Sequence, residues 1–418
     1  MLIRFEVENF RSIDSPVELS MVAIDRDREA ARPIPRLGES LLTTAGVYGP
    51  NASGKSNLLA ALAWLRSAVS TSLTRWDDGI PVEPFAFGDG AGRDTSFAVD
   101  MAIGGIRFEY LLDLDRSRVS YEALFHYPEG RRRRVFEREG NELTLQRGLG
   151  ELSATRSLLT SRSLALSIMR RFGEPLTSSF AQSVLGTSVL GSPSGRSLAR
   201  PRWASRETLR MLDSEAADQT ELFHLDSDRD RALALIRLAD VGVDDVRIVE
   251  VVEEPYLDGK AVATRRPQMM HSISGENFPF DFDRESAGTK TWFSLVGPIL
   301  RVLDAGSIAV FDELDASLHP TLTAQILRLF QDSSSNPYDA QLIFSSHDTS
   351  LLNHLNRDEI WLTQKRGDGS TELGALSDFA GERVRRSQNI ERAYLSGRFG
   401  ALPDVSDPSV LRELGLIG

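Results

Sequence analysis

The sequence predicts an α/β fold in which a mainly parallel sheet is flanked by helices. A short β-prone run, 44–48, leads through a glycine-rich turn into a helical pattern over 57–69. In the last third of the chain, apolar runs at 307–311 and 341–345 alternate with a helical pattern at 320–330. Such alternation is typical of parallel strands that are joined and covered by helices.

The two ends of the chain are predicted to contribute to the same sheet. Residues 1–75 and 236–418 carry these strand and helix patterns, and we expect them to form one α/β head. Between them, apolar and polar residues alternate on both sides of a Gly-Gly turn, which predicts a β-rich insertion at 76–148. Helical patterns predict a second, helical insertion at 149–235. One sheet interrupted by a long insertion explains the order more simply than two independent domains.

The composition excludes several classes of protein. The chain has 418 residues, no cysteine and a net charge of −12. The lack of cysteine excludes disulfides, a cysteine nucleophile and thiolate metal sites. We find no run of about 18 apolar residues that could span a membrane. The first ten residues, MLIRFEVENF, lack the features of a signal peptide, so we expect a cytoplasmic protein.

One local feature departs from the acidic balance of the chain. Arginines occupy positions 131–134, and Arg138 follows closely. A solvated hairpin or loop is the plainer interpretation of this run, and contact with nucleic acid or an acidic partner is the alternative. An acidic chain as a whole is a poor nonspecific binder of nucleic acid.

A charged stretch with two prolines, 25–40, predicts a surface loop.

The strongest functional signal is a phosphate-binding loop between the first predicted strand and helix. It matches the pattern G-x-x-x-x-G-K-S in full and reads Gly49-Pro50-Asn51-Ala52-Ser53-Gly54-Lys55-Ser56, with Asn57 next. The glycines let the loop wrap so that backbone N–H groups point at phosphates. Lys55 supplies a cation for the β- and γ-phosphates, and Ser56 offers a hydroxyl to Mg²⁺. These residues predict an ATP and Mg²⁺ site.

Two further strands end in residues that suit this chemistry. The apolar run 307–311 ends in Asp312-Glu313, and the run 341–345 leads to His347. Because ligands bind at the carboxyl ends of parallel strands, these side chains are expected to face the phosphate loop. Asp312 is placed to hold Mg²⁺ with Ser56, and Glu313 is placed to polarise the attacking water. His347 suits a sensor of the γ-phosphate.

Together these motifs resemble the ATP-binding-cassette ATPases, specifically the SMC/RecF-like branch. The start FEVENFRSI resembles the opening strand and turn of that branch. Arg11 in the turn is a candidate contact to the phosphates, and a surface arginine is the alternative. The segment 313–320, ELDASLHP, resembles its D-loop, with Asp315 as the D-loop acid. The resemblance implies an ABC-type P-loop ATPase head, with the β-rich and helical insertions lying between the phosphate loop and a signature motif.

The segment 284–290, RESAGTK, resembles that signature motif, although only Ser286 and Gly288 match the usual form directly. Small residues at the start of a helix expose N–H groups that favour an anion. The candidate nucleotide-contacting residues are Ser286, Ala287, Gly288, Thr289 and Lys290. In the family this motif meets the γ-phosphate bound by the other subunit, which implies a homodimer or higher homo-oligomer with composite ATP sites. The alternative is simple capping of a helix.

A narrower resemblance is to the stand-alone ATPases of the RloA/AbiLi type. It rests on Glu83-Pro84-Phe85, on the β-rich and helical insertions, and on the segment 393–401, AYLSGRFGA, followed by Pro403. Such proteins occur in bacterial anti-phage systems of the abortive-infection kind. The resemblance implies an ATP-driven sensor or regulatory subunit with a separate effector, either a toxin or a nuclease.

Three alternative functions stay open on the sequence. A RecF-like DNA-repair ATPase would bind DNA directly, and the acidic charge speaks modestly against it. An ATP-dependent nuclease component would need an extra catalytic domain, and the roughly 70 residues after His347 are few for one. A scaffold that binds ATP without hydrolysing it would not need the intact pair Asp312-Glu313.

Overall fold

The computed structural model describes residues 1–149, 154–191, 206–213, 222–239, 242–253, 262–273, 275–316, 318–379 and 390–399. The end of the segment 393–401 and Pro403 lie outside these ranges. The described strands are β1 Leu2–Glu8, β2 Val17–Ser20, β3 Ala31–Ile34, β4 Glu39–Leu42, β5 Thr44–Tyr48, β6 Thr95–Ile103, β7 Ile106–Leu114, β8 Val119–His126, β9 Arg133–Glu139, β10 Glu142–Leu145, β11 Ser188–Leu190, β12 Val243–Glu253, β13 Val262–Ile273, β14 Glu276–Asp281, β15 Ile308–Phe311, β16 Gln341–Ser345, β17 Ile360–Lys365 and β18 Thr371–Ala375.

Helices cover both faces of the parallel sheet. The described α-helices are α1 Lys55–Arg75, α2 Thr155–Leu158, α3 Ala165–Met169, α4 Pro175–Leu185, α5 Arg206–Leu212, α6 Leu222–Ala239, α7 Ala287–Ala305, α8 Pro320–Gln331, α9 Leu376–Phe379 and α10 Ile390–Leu395. Short 3₁₀ helices lie at Gly90–Gly92, Pro128–Gly130, Phe282–Arg284 and Thr349–His354. No helix within these described ranges is long and apolar enough to cross a membrane.

The parallel sheet combines strands from both ends of the chain, as predicted, but its edge strand β11 comes from the segment predicted to be a helical insertion. Its strand order is β11-β15-β16-β5-β17-β18, so that β5 lies between β16 and β17. Neighbouring strands from β11 to β17 are parallel, and β18 pairs antiparallel with β17. All residues of β5, β15 and β16 are buried, as expected for strands covered on both faces. The sheet therefore brings the carboxyl ends of β5, β15 and β16 to one edge.

An antiparallel sheet joins β1 to the β-rich segment. Its order is β10-β9-β8-β7-β6-β1-β2, and β1 pairs with both β2 and β6. The predicted β-rich character of 76–148 is confirmed from β6 onward, whereas residues 76–94 form no strand. Thus the strands from 76–148 continue a sheet that begins with the first strand of the chain. The division of the chain into four segments stays a prediction.

The prediction of a surface loop at 25–40 was wrong for its second half. Residues Ala31–Ile34 and Glu39–Leu42 form an antiparallel two-stranded ribbon, with Pro33 opposite Ser40. Proline is tolerated there because a two-stranded ribbon has free edges that need no N–H donor. Gly38, at φ 69°, supplies the left-handed residue of the turn.

The apolar core lies on both faces of the parallel sheet. One buried cluster contains α1, the antiparallel sheet and alternate sheet residues such as Val310 and Ile343. A second buried cluster contains α7, α8 and the intervening sheet residues, such as Phe311 and Phe344. Consecutive residues of β15 and β16 therefore belong to opposite clusters, which is typical of strands that pack on both faces of a sheet. Because α1 is held between the two sheets, the loop that precedes it is fixed at the sheet edge.

A buried ion pair anchors α3 to the antiparallel sheet. The side chains of Glu122 and Arg138 are both fully buried, with 3.5 Å between their charged atoms. Glu122 accepts hydrogen bonds from Tyr110 Oη (2.9 Å) and from the backbone N–H groups of Ala165 (2.6 Å) and Leu166 (2.9 Å). Burial raises the pKa of Glu122, and the charge of Arg138 opposes this effect. The carboxylate thus caps the first turn of α3.

We expect Glu122→Gln to destabilise the fold by about 3 kcal/mol, because it leaves a buried guanidinium without its counter-charge and turns one acceptor into a donor. Urea unfolding followed by circular dichroism measures this change. The matched control is Glu142→Gln, at an exposed position of β10, which should stay within about 0.5 kcal/mol. Equal stability of the two variants would show that the buried pair does not hold α3.

Candidate functional site

The phosphate loop lies where the sequence placed it, between β5 and α1. Gly49 and Gly54 adopt φ values of 149° and 108°, which L side chains rarely adopt. A Cβ on Gly49 would lie 2.4 Å from the Thr363 carbonyl oxygen, and one on Gly54 would lie 2.0 Å from Thr371 Oγ1. Both glycines of the motif are therefore required by close packing against β17 and β18 as well as by backbone conformation.

Lys55 occupies the inside of the loop. It is 5% exposed, and its Nζ donates hydrogen bonds to the carbonyl oxygens of Gly49 (2.8 Å) and Pro50 (3.0 Å). Burial lowers the pKa of Lys55, whereas the nearby carboxylates of Asp312, Asp315 and Glu313 act in the opposite direction. The ammonium group is thus held in a partly desolvated loop with an acidic cluster beside it.

The two predicted Mg²⁺ ligands are in direct contact. Ser56 Oγ donates a hydrogen bond to Asp312 Oδ1 at 3.0 Å, although 256 positions separate the residues. Ser345 Oγ donates to the same oxygen at 2.6 Å, and Asp312 is 4% exposed. A hydroxyl and one carboxylate suit Mg²⁺, which usually takes its remaining ligands from phosphates and water. The described residues contain no group of three or more His, Cys, Asp or Glu side chains that could hold a metal ion.

Glu313 lies at the mouth of the site in a strained conformation. Its φ is 55°, in the left-handed region, and its side chain is exposed. Its backbone N–H donates to Ser345 Oγ at 2.8 Å, and the next residue, Leu314, donates its N–H to the Ser345 carbonyl at 2.9 Å. The turn after β15 is therefore fixed by β16. Strain of this kind persists where the surrounding structure determines it, and it is frequent at active sites.

The D-loop acid and the histidine loop meet at the same edge. The backbone N–H of His347 donates to both carboxylate oxygens of Asp315, at 3.2 and 3.3 Å. His347 is an exposed residue. The structure therefore brings together the phosphate loop, the acidic pair, the D-loop acid and the histidine, which come from widely separated parts of the sequence.

The signature-like segment forms the start of α7. Ser286 caps the helix, because its Oγ accepts a hydrogen bond from the N–H of Thr289 at 3.1 Å and lies 2.9 Å from Thr289 Oγ1. Lys290 Nζ donates to the carbonyl of Asp283 at 2.7 Å. Ala287 and Gly288 open the first turn. The helix cap is thus real, and whether the segment also binds phosphate stays a prediction.

Two further candidate residues contact other parts of the protein. Arg11, at φ 52°, forms an ion pair with Glu83 at 3.2 Å and lies over the ring of Phe10. Asn57 donates its side-chain amide to Ser12 Oγ at 2.7 Å. Asn57 directly follows the phosphate loop, and Arg11 directly precedes Ser12, which Asn57 contacts. Their described contacts hold the turn after β1 in place, and their contact with nucleotide stays a prediction.

Sequence reasoning missed three hydroxyl residues that support the site. Ser345 holds Asp312 and the turn at Glu313, while Thr363 and Thr371 pack against the phosphate loop. Ser345 lies at the end of an apolar strand. The rule that ligands bind at the carboxyl ends of parallel strands, which identified Asp312, could therefore have identified Ser345 as well. Thr363 and Thr371 carry no such signal, because only the fold brings their strands next to the loop.

These observations define the class of the protein. A phosphate loop between a parallel strand and a helix, with an acidic pair at the end of a nearby parallel strand, is the core of a P-loop ATPase. Residues 45–353 match the family described as "AAA domain, putative AbiEii toxin, Type IV TA system". Because the match covers more than half of the chain, the protein belongs to this family.

Solved structures with a related fold include heads of SMC proteins. One is an SMC head bound to the C-terminal winged-helix domain of ScpA, with 12% identity, a TM-score of 0.47 and coverage of 91% of this chain and 99% of that one. Another is the SMC head domain from Thermotoga maritima, with 14% identity, a TM-score of 0.41 and coverage of 90% and 98%. A third is an SMC head with an extended coiled coil bound to the C-terminal domain of ScpA, derived from Pyrococcus furiosus, with 11% identity, a TM-score of 0.44 and coverage of 90% and 97%. No curated protein matches the sequence.

Proposed function

We propose that this protein hydrolyses ATP with the help of Mg²⁺. The observation that carries the proposal is the hydrogen bond between Ser56 and Asp312, which joins the phosphate loop to the acidic strand end beside Lys55. Mg²⁺ held by these two oxygens would neutralise charge on the β- and γ-phosphates. The direct test is release of phosphate from ATP by the purified protein, with Mg²⁺ and with excess EDTA. A folded protein that releases no phosphate in either condition would contradict the proposal.

Each residue has a defined task in this mechanism. Lys55 exchanges its contacts with the carbonyls of Gly49 and Pro50 for phosphate oxygens. Glu313 accepts a hydrogen bond from the attacking water and orients it, because its exposed carboxylate lies next to the Mg²⁺ ligand Asp312. His347 contacts the γ-phosphate or that water from the neighbouring strand end. Positioning and charge stabilisation supply most of the catalysis in phosphoryl transfer.

We also propose that the ATP sites are composite, formed by two copies arranged head to tail. Ser286 to Lys290 present a capped helix start, and no hydrogen bond within the described residues connects that segment to the phosphate loop of the same chain. A helix start that carries Ser, Gly and Thr favours a phosphate group. In the dimer, this segment of one copy would close over the nucleotide bound by the other.

Mixing two inactive variants tests the composite sites. Asp312→Asn disables the metal site of a copy, and Gly288→Arg blocks its signature segment. A mixed dimer has one site with both defects and one site with neither. Random exchange at equal amounts should therefore restore about one quarter of the wild-type hydrolysis rate.

The control for this experiment is a mixture of Asp312→Asn with Lys55→Ala. Both changes affect the same half of the composite site, so the mixture should stay inactive. If wild-type protein hydrolyses ATP but the first mixture of folded variants recovers no activity, each copy acts alone and the composite arrangement is wrong.

We propose, as the biological role, that the ATPase is the sensor or regulatory subunit of a bacterial anti-phage system with a separate effector. The family description, which names a putative toxin and a toxin–antitoxin system, supports a role of this kind. The test is expression in a bacterial host, alone and with the genes encoded beside it, followed by phage challenge. Protection should require both the neighbouring genes and Lys55. Growth arrest by this chain alone would show instead that it is itself the toxin.

The basic run at 131–134 does not favour direct DNA binding. Arg132 pairs with Glu109 at 2.8 Å and stacks over Phe125, with 3.6 Å between the guanidinium carbon and the ring centroid. Arg134 pairs with Glu137 at 2.8 Å. Half of the run is therefore neutralised within the protein, in a chain that is acidic overall.

A further inference from the structure

A chain of hydrogen-bonded side chains connects the phosphate loop to the hairpin β17–β18 and to the turn after β1. Thr371 Oγ1 donates to the Ser53 carbonyl at 3.0 Å and lies 2.7 Å from Ser12 Oγ. Ser12 Oγ in turn accepts from Asn57 Nδ2 at 2.7 Å. The N–H of Thr371 also donates to the Ser12 carbonyl at 2.7 Å. Three separate segments are thus joined at one threonine, which is 5% exposed.

The proton positions in this network follow from its partners. Because a carbonyl can only accept, Thr371 donates its hydroxyl hydrogen to Ser53, and Ser12 must then donate to Thr371. Ser12 has its lone pairs available for the amide of Asn57. The side chain of Ser53 is held by a second contact, because Ser53 Oγ lies 2.5 Å from Thr363 Oγ1. Thr363 Oγ1 in turn donates a hydrogen bond to the Tyr48 carbonyl at 3.1 Å. Both the carbonyl and the hydroxyl of Ser53 are therefore held.

The held carbonyl determines where the next N–H points. A peptide bond is planar and trans, so the Ser53 C=O and the Gly54 N–H point in opposite directions. With the carbonyl directed at Thr371 on β18, the N–H of Gly54 is directed away from the hairpin. In a phosphate loop, that direction is the interior in which backbone N–H groups meet phosphates. The absence of a side chain on Gly54 lets Thr371 approach, since a Cβ there would lie 2.0 Å from its hydroxyl.

We infer that Thr371 is a positioning residue for nucleotide binding, which it assists by fixing the peptide between Ser53 and Gly54 before the nucleotide arrives. Ser12, in the turn after β1, and Asn57, on α1, complete the brace. The inference rests on the proposed ATP binding, and it assigns a task to the hairpin β17–β18, which carries none of the sequence motifs. An organised loop costs less to order on binding, so the brace should act mainly on affinity.

The test compares Thr371→Val with Thr371→Ser. Valine keeps the branched shape but loses the hydroxyl, and serine keeps the hydroxyl. We expect the Kd for ATP to rise about tenfold in Thr371→Val and to stay within about threefold of wild type in Thr371→Ser. The rate at saturating ATP should change by less than about threefold, because the brace touches no reacting atom. Isothermal titration and phosphate release measure the two effects.

The matched control is Thr71→Val on α1, whose hydroxyl donates within the helix to the Ser67 carbonyl. It should leave both the Kd and the rate unchanged. If Thr371→Val does not fold, Ser12→Ala removes the second hydroxyl of the same brace and should weaken ATP binding about threefold. Wild-type affinity in the folded Thr371→Val variant, or in Ser12→Ala where that variant is used, would overturn the inference. Absence of ATP binding by the wild-type protein would instead overturn the proposed function.

Discussion

Glu313→Gln should bind ATP with wild-type affinity and hydrolyse it about 10²- to 10⁴-fold more slowly, the range for loss of a general base. The change keeps the size of the side chain and removes its charge. The backbone N–H of Glu313 still reaches Ser345 Oγ, so the strained turn after β15 should keep its shape. The phosphate loop and the Mg²⁺ ligands are untouched. Titration with ATP and a phosphate-release assay separate binding from turnover.

Slow hydrolysis should also trap the closed state. If ATP bridges two copies, Glu313→Gln with ATP and Mg²⁺ should accumulate as a dimer in light scattering after gel filtration, whereas wild-type protein should return to its nucleotide-free state. Glu276→Gln, an exposed change on β14, is the matched control and should behave as wild type. Hydrolysis by Glu313→Gln at the wild-type rate would remove Glu313 from the mechanism, whatever its oligomeric state.

The sequence predicted that the motif residues meet at one edge of the sheet, because each motif marks the end of an apolar strand. Gly49–Ser56, Asp312 and His347 follow the strands β5, β15 and β16, which the structure places side by side. Parallel strands present their carboxyl ends at one edge, so a local pattern was enough to predict a long-range contact. The hydrogen bond from Ser56 to Asp312 is the physical outcome of that rule.

The support of the loop could not be predicted in the same way. Thr363 and Thr371 lie on a hairpin with no recognisable motif, and Ser12 lies in a turn of the antiparallel sheet. The contacts of Thr363 and Thr371 depend on the strand order of the parallel sheet, and those of Ser12 depend on how the antiparallel sheet packs against it. A period of two along one strand carries no information about either. The ribbon formed by Ala31–Ile34 and Glu39–Leu42 was missed for a related reason, since prolines and charges obscured its short apolar pattern.

Lys55→Ala should abolish measurable ATP binding, with a Kd raised by at least about 100-fold. The expected loss is electrostatic in origin. The carboxylates of Asp312, Glu313 and Asp315 lie close enough to act on the pKa of Lys55, so the site is strongly acidic without its ammonium group. A triphosphate that enters the variant would meet these charges with only Mg²⁺ and the backbone N–H groups to balance them. The loss should therefore exceed that of any single hydrogen bond in the loop.

The matched control is Lys365→Ala, an exposed change at the end of β17 in the strand beside β5, which should bind ATP as wild type does. Lys55→Arg should not restore affinity, because a planar guanidinium does not replace a compact ammonium that donates to the carbonyls of Gly49 and Pro50 from inside a buried loop. Isothermal titration with ATP and Mg²⁺ checks all three variants, and thermal unfolding confirms that each is folded. Wild-type affinity in folded Lys55→Ala would mean that the nucleotide does not bind at this loop.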